Sequence, residues 1–201
     1  LEPRLFACLL LWLFQRRRHG QGQFSYHRRS WGGALLLLVL VTAPVEVFLF
    51  ELLIPWAWLR WVLLVAALYA VLWVAGFVAS LRVLPHQLEA SGVRLRYGTW
   101  AEALIPYGEI AGVEQQQLRA PRGGDGLVTD RREGAAYLAA GGRTDITIRL
   151  RAPRPMHGLL RPTSPVGTVH VAADDPARLT DALRQRLRES GQLAAAEVAA
   201  E

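Results

Sequence analysis

The chain has 201 residues, 52% of them hydrophobic, and a formal charge of +6 at pH 7. This apolar content is too high for an ordinary soluble domain of that length, and the apolar residues concentrate at 5–14 and 31–81. Acidic residues interrupt the positive charge and no aromatic platform accompanies it, which argues against a nucleic-acid-binding protein. The single Cys8 excludes an internal disulfide and a cysteine-based structural metal site.

The first 30 residues combine a short apolar run with a cluster of arginines. The run at residues 5–14 is ten residues long, which is too short to span a bilayer. Its charges follow it, at Arg16, Arg17 and Arg18, whereas a secretory signal carries them in front. We therefore expect residues 1–30 to form an interfacial apolar and arginine-rich segment, with a truncated third span as the alternative.

Two long apolar stretches follow. Residues 61–81 run for 21 positions without a charge, and at ~1.5 Å per residue they cover the ~30 Å hydrocarbon core. The stretch before them is also long enough, although it contains Glu46, and Pro44 predicts a kink. We predict transmembrane spans at about 33–54 and 59–81.

The segment between the spans is short and aromatic. Its tryptophans, between residues 56 and 61, are typical of the headgroup level, so residues 31–81 are predicted to form a transmembrane hairpin. Five arginines at 16–29 precede the hairpin and three at 82–96 follow it, whereas the turn contains only Arg60. The positive-inside rule then predicts a multi-pass membrane protein with both termini in the cytoplasm and the turn outside.

The hairpin also contains carboxylates. Glu51 and Arg60 fall at similar depth on antiparallel helices, which predicts an interfacial ion pair. Glu46 lies ~13 Å from the turn, at a depth where a carboxylate costs ~2.5–3.5 kcal/mol unless it is protonated, paired or facing protein. Tyr69 and Thr42 are the other polar side chains at that depth, so Glu46 and Tyr69 are predicted to make intramembrane contacts, within the chain or with a partner helix. A tolerated protonated carboxyl and a proton relay are the alternatives.

After residue 82 the hydrophobic period changes from 3.6 to 2, as in half-exposed antiparallel strands. Strands are predicted near 86–90, 93–97, 100–105, 110–118 and 136–139, and in the segments TDITIRLR and GTVHVAA. The alternation in GTVHVAA places His170 on the outer face. The Gly/Arg-rich stretch at 119–134 and the Pro-rich stretch at 151–167 have no period and are predicted to be loops.

The last predicted element is a helix. Asp175 at the N-cap and Pro176 at the first helical position are a strong start signal, and leucines every four residues form one apolar stripe. We expect this helix to close an antiparallel sheet, giving an α+β cytoplasmic domain over residues 82–190. Residues 191–201 are predicted to form a flexible tail.

Four segments carry a family resemblance. RLRYGTWAEALIPYGEIAGVE joins a strand pair to an aliphatic-Pro-aromatic step, and VHVAADDPARLTDAL joins a strand to a helix. With FSYHRRS before the first span and LPHQLEASGVRLRYG after the second, they resemble bacterial PH-like domains flanked by membrane helices, as in uncharacterised actinobacterial membrane proteins. The resemblance covers about residues 24–190 and implies a PH-like sandwich closed by one C-terminal helix. The Arg/Gly stretch at 119–134 departs from it.

The resemblance implies assembly or ligand capture. We expect a non-enzymatic protein without a cofactor that holds a PH-like binding or scaffolding domain at the membrane, and that contacts membrane lipids and either a protein partner or a second copy through the hairpin. An accessory subunit of a transporter or proton-coupled complex, using Glu46, is the alternative. Possible contacts to anionic lipid are Arg94, Arg96, Arg149, Arg151 and Arg154. Solvated strand faces would explain the same arginines.

Catalysis is not predicted. The downstream histidines and their possible acidic partners are His86, His157, His170, Asp145, Asp174 and Asp175. No Ser, Cys or Glu lies at a spacing that would form a nucleophile or metal site with them.

Overall fold

The structure is a computed structural model that describes residues 2–14, 22–156 and 164–200. Arg16, Arg17 and Arg18, which were expected to anchor the N-terminal segment, lie outside the described residues, as does His157.

The chain folds into two compact units. The first comprises Leu1–Arg16 and Trp31–Val83, and the second comprises Arg17–Ser30 and Leu84–Glu201. The segment predicted as one N-terminal region, residues 1–30, is therefore divided between them. Its second half belongs to the unit that contains the sheets.

The first unit contains three helices: α1 Glu2–Phe14, α2 Gly32–Leu53 and α3 Ala57–Val83. By length and composition α2 and α3 can each cross a membrane, and their bounds lie within two residues of the predicted spans. The two helices pack against each other and are joined by a three-residue connection at 54–56, so they form a helical hairpin. Pro44 lies inside α2.

The surface of the helical hairpin is apolar. On α2 a stripe of partly covered residues, Val39, Ala43, Val47 and Phe50, has the three- and four-residue spacing of one helix face. Large apolar side chains are exposed on the remaining faces; Leu53, for example, is 70% exposed. An exposed apolar surface of this extent suits a lipid environment and would be a liability in water.

Helix α1 packs along α3. Gly76 makes this possible, because a Cβ there would lie 3.1 Å from the Leu5 carbonyl oxygen. Leu5 and Cys8 are buried, and the Arg82 guanidinium lies 5.2 Å from the centre of the Trp12 ring. Since Leu5 faces Gly76 and Trp12 faces Arg82, the contacts advance in the same direction and the two helices run parallel.

The second unit consists of two sheets and a helix. The first sheet is antiparallel and has the order β1-β2-β3-β4: Gln23–Phe24, His86–Leu88, Gly92–Tyr97 and Ala101–Pro106. The second has the order β5-β8-β9-β7-β6, with β5 Ile110–Arg119, β6 Gly126–Asp130, β7 Ala135–Ala139, β8 Arg143–Arg154 and β9 Val166–Val171. β7 and β9 are parallel, and the other neighbours are antiparallel. Helix α4, Pro176–Ala200, packs against β5 and β8.

Two strands differ from the sequence-based prediction. β6 lies inside the stretch predicted to be a loop, and β1 was not predicted at all. In β6, Leu127 pairs with Leu138 and Val128 with Tyr137. Both β1 and β6 are edge strands whose own apolar pattern is weak, so their conformation depends on the neighbouring strand.

The start of α4 was predicted correctly. Pro176 is its first residue, and the Asp175 carboxylate accepts the backbone N–H of Arg178 at 3.1 Å. Leu179 and Leu183 are fully buried. The helix continues to Ala200, through residues that the sequence analysis assigned to a flexible tail.

Candidate interaction surfaces

The segment that precedes α2, residues 22–30, is bound to the first sheet by strand pairing and hydrogen bonds. Phe24 of β1 pairs with His86 of β2. The buried Tyr26 hydroxyl donates a hydrogen bond to the Leu84 carbonyl at 3.2 Å and accepts the Gly98 N–H at 2.6 Å. The chain therefore enters and leaves the α2–α3 hairpin from neighbouring strands of one sheet.

Two carboxylates hold the same segment to the end of β9. The Arg29 guanidinium donates to the buried Asp145 carboxylate at 3.1 Å, and this carboxylate also accepts the Ala173 N–H at 3.2 Å. The Asp174 carboxylate accepts the Arg28 N–H at 3.1 Å. Asp145 and Asp174, considered above as partners of a catalytic histidine, therefore serve as structural acceptors.

His86 is buried and fully hydrogen-bonded. Its Nδ1 accepts the Arg96 N–H at 3.1 Å, and its Nε2–H donates to the Ala172 carbonyl at 3.0 Å. Because an N–H can only donate and a carbonyl can only accept, these partners fix one neutral tautomer. The ring stacks on Tyr26 at 4.6 Å, and burial lowers the pKa of His86 to about 4. This histidine ties strands together and has no free nitrogen for catalysis.

His170 is buried, so its predicted outward position is wrong. Its Nδ1 lies 2.9 Å from the Thr147 hydroxyl, and its ring stacks on Tyr137 at 4.5 Å. β9 lies between β7 and β8, so His170 is flanked on its face of the sheet by Tyr137 and Thr147. Burial also lowers the pKa of His170.

Arg94 and Arg96 share one face of β3 with acidic neighbours. Arg94 donates to the carboxylates of Glu89 and Glu102, and Arg96 donates to Glu102 at 3.3 Å and to Gln87 at 3.4 Å. Hydrogen bonds from Arg94 lower the pKa of Glu89. Two carboxylates therefore compensate two guanidinium groups, and this face presents little net charge to an anionic membrane.

The arginines of β8 are mostly paired as well. Arg149 lies 2.7 Å from the Glu114 carboxylate, and Arg154 forms an ion pair with Glu109. Arg151 is exposed, and the structure gives it no acidic partner among the described side chains. Four of the five arginines considered for anionic lipid are thus already in contact with carboxylates.

A pocket of about 410 Å³ opens beside β4, which is an edge strand of the first sheet. Leu104 in this pocket is 38% exposed. The lining is mainly apolar with three charged side chains: Ala103, Leu104, Ile105, Pro106, Leu150, Pro155, Met156, Val169, Arg94, Glu102 and Arg154.

Glu46 is exposed on α2. Among the described residues, the structure records neither a hydrogen bond nor an ion pair for its carboxylate. Tyr69 of α3 lies with its ring 6.4 Å from that of Phe6 in α1. Near the hairpin connection, the Arg60 guanidinium lies 3.4 Å from the Glu51 carboxylate. Of the two carboxylates in α2, Glu46 lies farther from the hairpin connection, and it is the one without a recorded partner.

Sequence reasoning missed the acidic partners of the arginines and the role of the segment before α2. Which carboxylate lies beside Arg94 depends on the register of β3 against β4, where Arg94 faces Leu104 and Arg96 faces Glu102. The acidic residues flanking Arg94 and Arg96 were the only available signal. Compared with known proteins, the chain matches no family model, no curated protein and no solved structure.

Proposed function

We propose that this chain is an integral membrane protein of a bacterial plasma membrane that holds a PH-like module in the cytoplasm and assembles with protein partners through its helical hairpin. The contrast between the two units supports the membrane part. Large apolar side chains are exposed along α2 and α3, whereas those of the sheets are buried, with Leu104 as an exception. A lipid solvent for the first unit and water for the second account for this contrast.

The PH-like assignment is supported by the order of elements. A meander of antiparallel strands, β2 to β4, is followed by a second sheet and by one C-terminal helix that packs against β5 and β8. The β6–β7 hairpin and the parallel pairing of β7 with β9 distinguish this module from a simple meander.

The observation that carries assembly is the exposure of Glu46 on an apolar helix. A charged side chain in hydrocarbon is costly, and such residues normally face protein or a water-filled cavity. Since the chain itself leaves Glu46 uncovered, a protein neighbour is the simplest cover. The carboxylate partners of Arg94, Arg96, Arg149 and Arg154 favour a protein partner over anionic lipid.

Gentle purification of the full-length protein from native membranes, with mass spectrometry of proteins and lipids, tests this function. We expect a protein in stoichiometric amount, either a further copy of the chain or another species, and its loss in Glu46→Gln. Glu51→Gln is the matched control, because Glu51 already contacts Arg60. Anionic lipid enriched over the bulk membrane, around a purified species with the native mass of one chain and no other protein, would contradict assembly. Wild-type protein released from membranes by alkaline carbonate would contradict the anchor.

A further inference from the structure

Among the described residues of the first unit, a second exposed charge besides Glu46 has no recorded ion-pair partner, and its sign is opposite. Arg4 lies on α1 and is exposed, and no acidic partner for it is recorded among the described side chains. Its neighbour Leu5 faces Gly76, which precedes Arg82 by six residues, or ~9 Å along α3. Arg4 is therefore also inside the apolar zone, which is bounded on α3 by Arg60 and Arg82.

Arg4 and Glu46 lie at different depths, and their side chains lean toward each other. Measured along α3, their levels differ by about ten residues, or ~15 Å. In a helix each Cα–Cβ bond tilts toward the N-terminus. Because α1 runs parallel to α3 and α2 runs antiparallel to it, the Arg4 and Glu46 side chains lean toward each other. The pair requires the helices of the first unit to tilt in the membrane, which brings the two levels closer, and both side chains are long enough to span part of the offset.

The two charges do not meet within one chain. α1 and α2 both pack on α3, and the structure leaves Arg4 and Glu46 unpaired. Each would cost ~2.5–3.5 kcal/mol near the centre of a bilayer on insertion scales, and intramembrane charges of this kind pair with one another. Arg4 lacks a carboxylate partner, which Glu46 can provide, and Glu46 lacks a cationic partner, which Arg4 can provide.

Building on the membrane assembly proposed above, we propose that its partner is a second copy of this chain, with Arg4 of one copy paired to Glu46 of the other. In a two-fold arrangement the contact forms twice, since the same surface serves both copies. The guanidinium can donate two hydrogen bonds to the carboxylate, and exclusion of water strengthens their attraction. The partner surface is therefore defined by charge complementarity on two apolar helices.

Co-capture of two differently tagged full-length copies, expressed in the same cells and solubilised gently, tests the pair. We expect each reversal, Arg4→Glu and Glu46→Arg, to lower the captured fraction by roughly threefold to thirtyfold, the range of interhelical polar contacts in membranes. The double variant, with both charges exchanged, should recover most of the capture. Glu51→Gln is the control and should behave as the wild type.

The neutral variants Arg4→Gln and Glu46→Gln provide a second measurement that does not require a charge to be inserted at a new position. Each should reduce capture, and their combination should cost no more than either alone, as expected for two partners of one contact. Wild-type copies that remain in carbonate-washed membranes but do not capture each other would overturn the pair and leave the anchor intact. Single variants without effect, or additive losses in the double neutral variant, would also overturn it. Loss of the wild type from washed membranes would instead refute the proposed function.

Discussion

His86 shows how far the surroundings of one side chain can move its protonation. Both ring nitrogens are bound to backbone groups, and a proton on Nδ1 would face the Arg96 N–H, which is itself a donor. Burial disfavours the charged ring and lowers the pKa of His86 to about 4 in the folded chain, against ~6.5 in the unfolded chain.

This difference predicts a pH dependence of stability. Between about pH 6.5 and pH 4 the unfolded chain binds more protons at His86 than the folded chain, so the free energy of unfolding falls as the pH falls. Stability is therefore not reduced by His86 above about pH 6.5, and the loss reaches about 3 kcal/mol once the pH is below both pKa values. Carboxylates with lowered pKa values, Glu89 and Glu102, lose their contribution only at pH below about 4.5.

The variant His86→Leu isolates the effect. At pH 7 it should be less stable than the wild type by about 1–3 kcal/mol, because the Arg96 N–H and the Ala172 carbonyl lose their partners. Its melting temperature should change less between pH 7 and pH 5 than that of the wild type. Thermal unfolding of both proteins in the same detergent measures this difference, and equal changes would contradict the assignment.

At the scale of elements, the sequence predicted the helices whose bounds depend on one segment alone. It missed the strands and contacts that depend on pairing with a neighbouring strand. The bounds of α2 and α3 follow from long charge-free runs, and the start of α4 follows from Asp175 and Pro176. β1 has only two residues and exists because it pairs with β2. The ion pairs of Arg94 and the burial of His170 required the strand order, which no local pattern encodes.

The packing of α1 on α3 makes a prediction about Gly76. A leucine there would force the Leu5 backbone away, since even its Cβ would lie 3.1 Å from the Leu5 carbonyl oxygen. Overpacking of this kind costs typically ~1–3 kcal/mol. We expect Gly76→Leu to expose Cys8, the only cysteine, and to increase its rate of alkylation by N-ethylmaleimide in mild detergent several-fold.

Gly33→Leu is the matched control for this experiment, because nothing lies within 4 Å of a Cβ at Gly33. It should leave the alkylation rate of Cys8 unchanged. An unchanged rate in Gly76→Leu would show that α1 does not depend on this contact.

For the whole molecule, the pairing of β1 with β2 constrains membrane topology. Phe24 and His86 are adjacent in one sheet, so the chain before α2 and the chain after α3 must lie on the same side of any membrane. The number of crossings between them is therefore even. An even number of crossings agrees with two spans, and it follows from the strand pairing without the arginine counts.

Single cysteines in a Cys8→Ser background test the topology. Trp56→Cys lies in the hairpin connection and Glu114→Cys on β5, and both positions are exposed. On intact cells, a membrane-impermeant maleimide should label residue 56, whereas residue 114 should react only after permeabilisation. Equal labelling of both positions in intact cells would contradict the proposed arrangement.

The pairing of β1 with β2 also sets an order of events during synthesis. β1 leaves the ribosome about 60 residues before β2, and at ~5–20 residues per second it waits ~3–12 s for its partner. Throughout that interval the Tyr26 hydroxyl lacks the Leu84 carbonyl and Arg29 lacks Asp145. The sheet can close only after the whole hairpin has been made, so a delay in delivering the hairpin to the membrane leaves the second unit open and vulnerable to proteases.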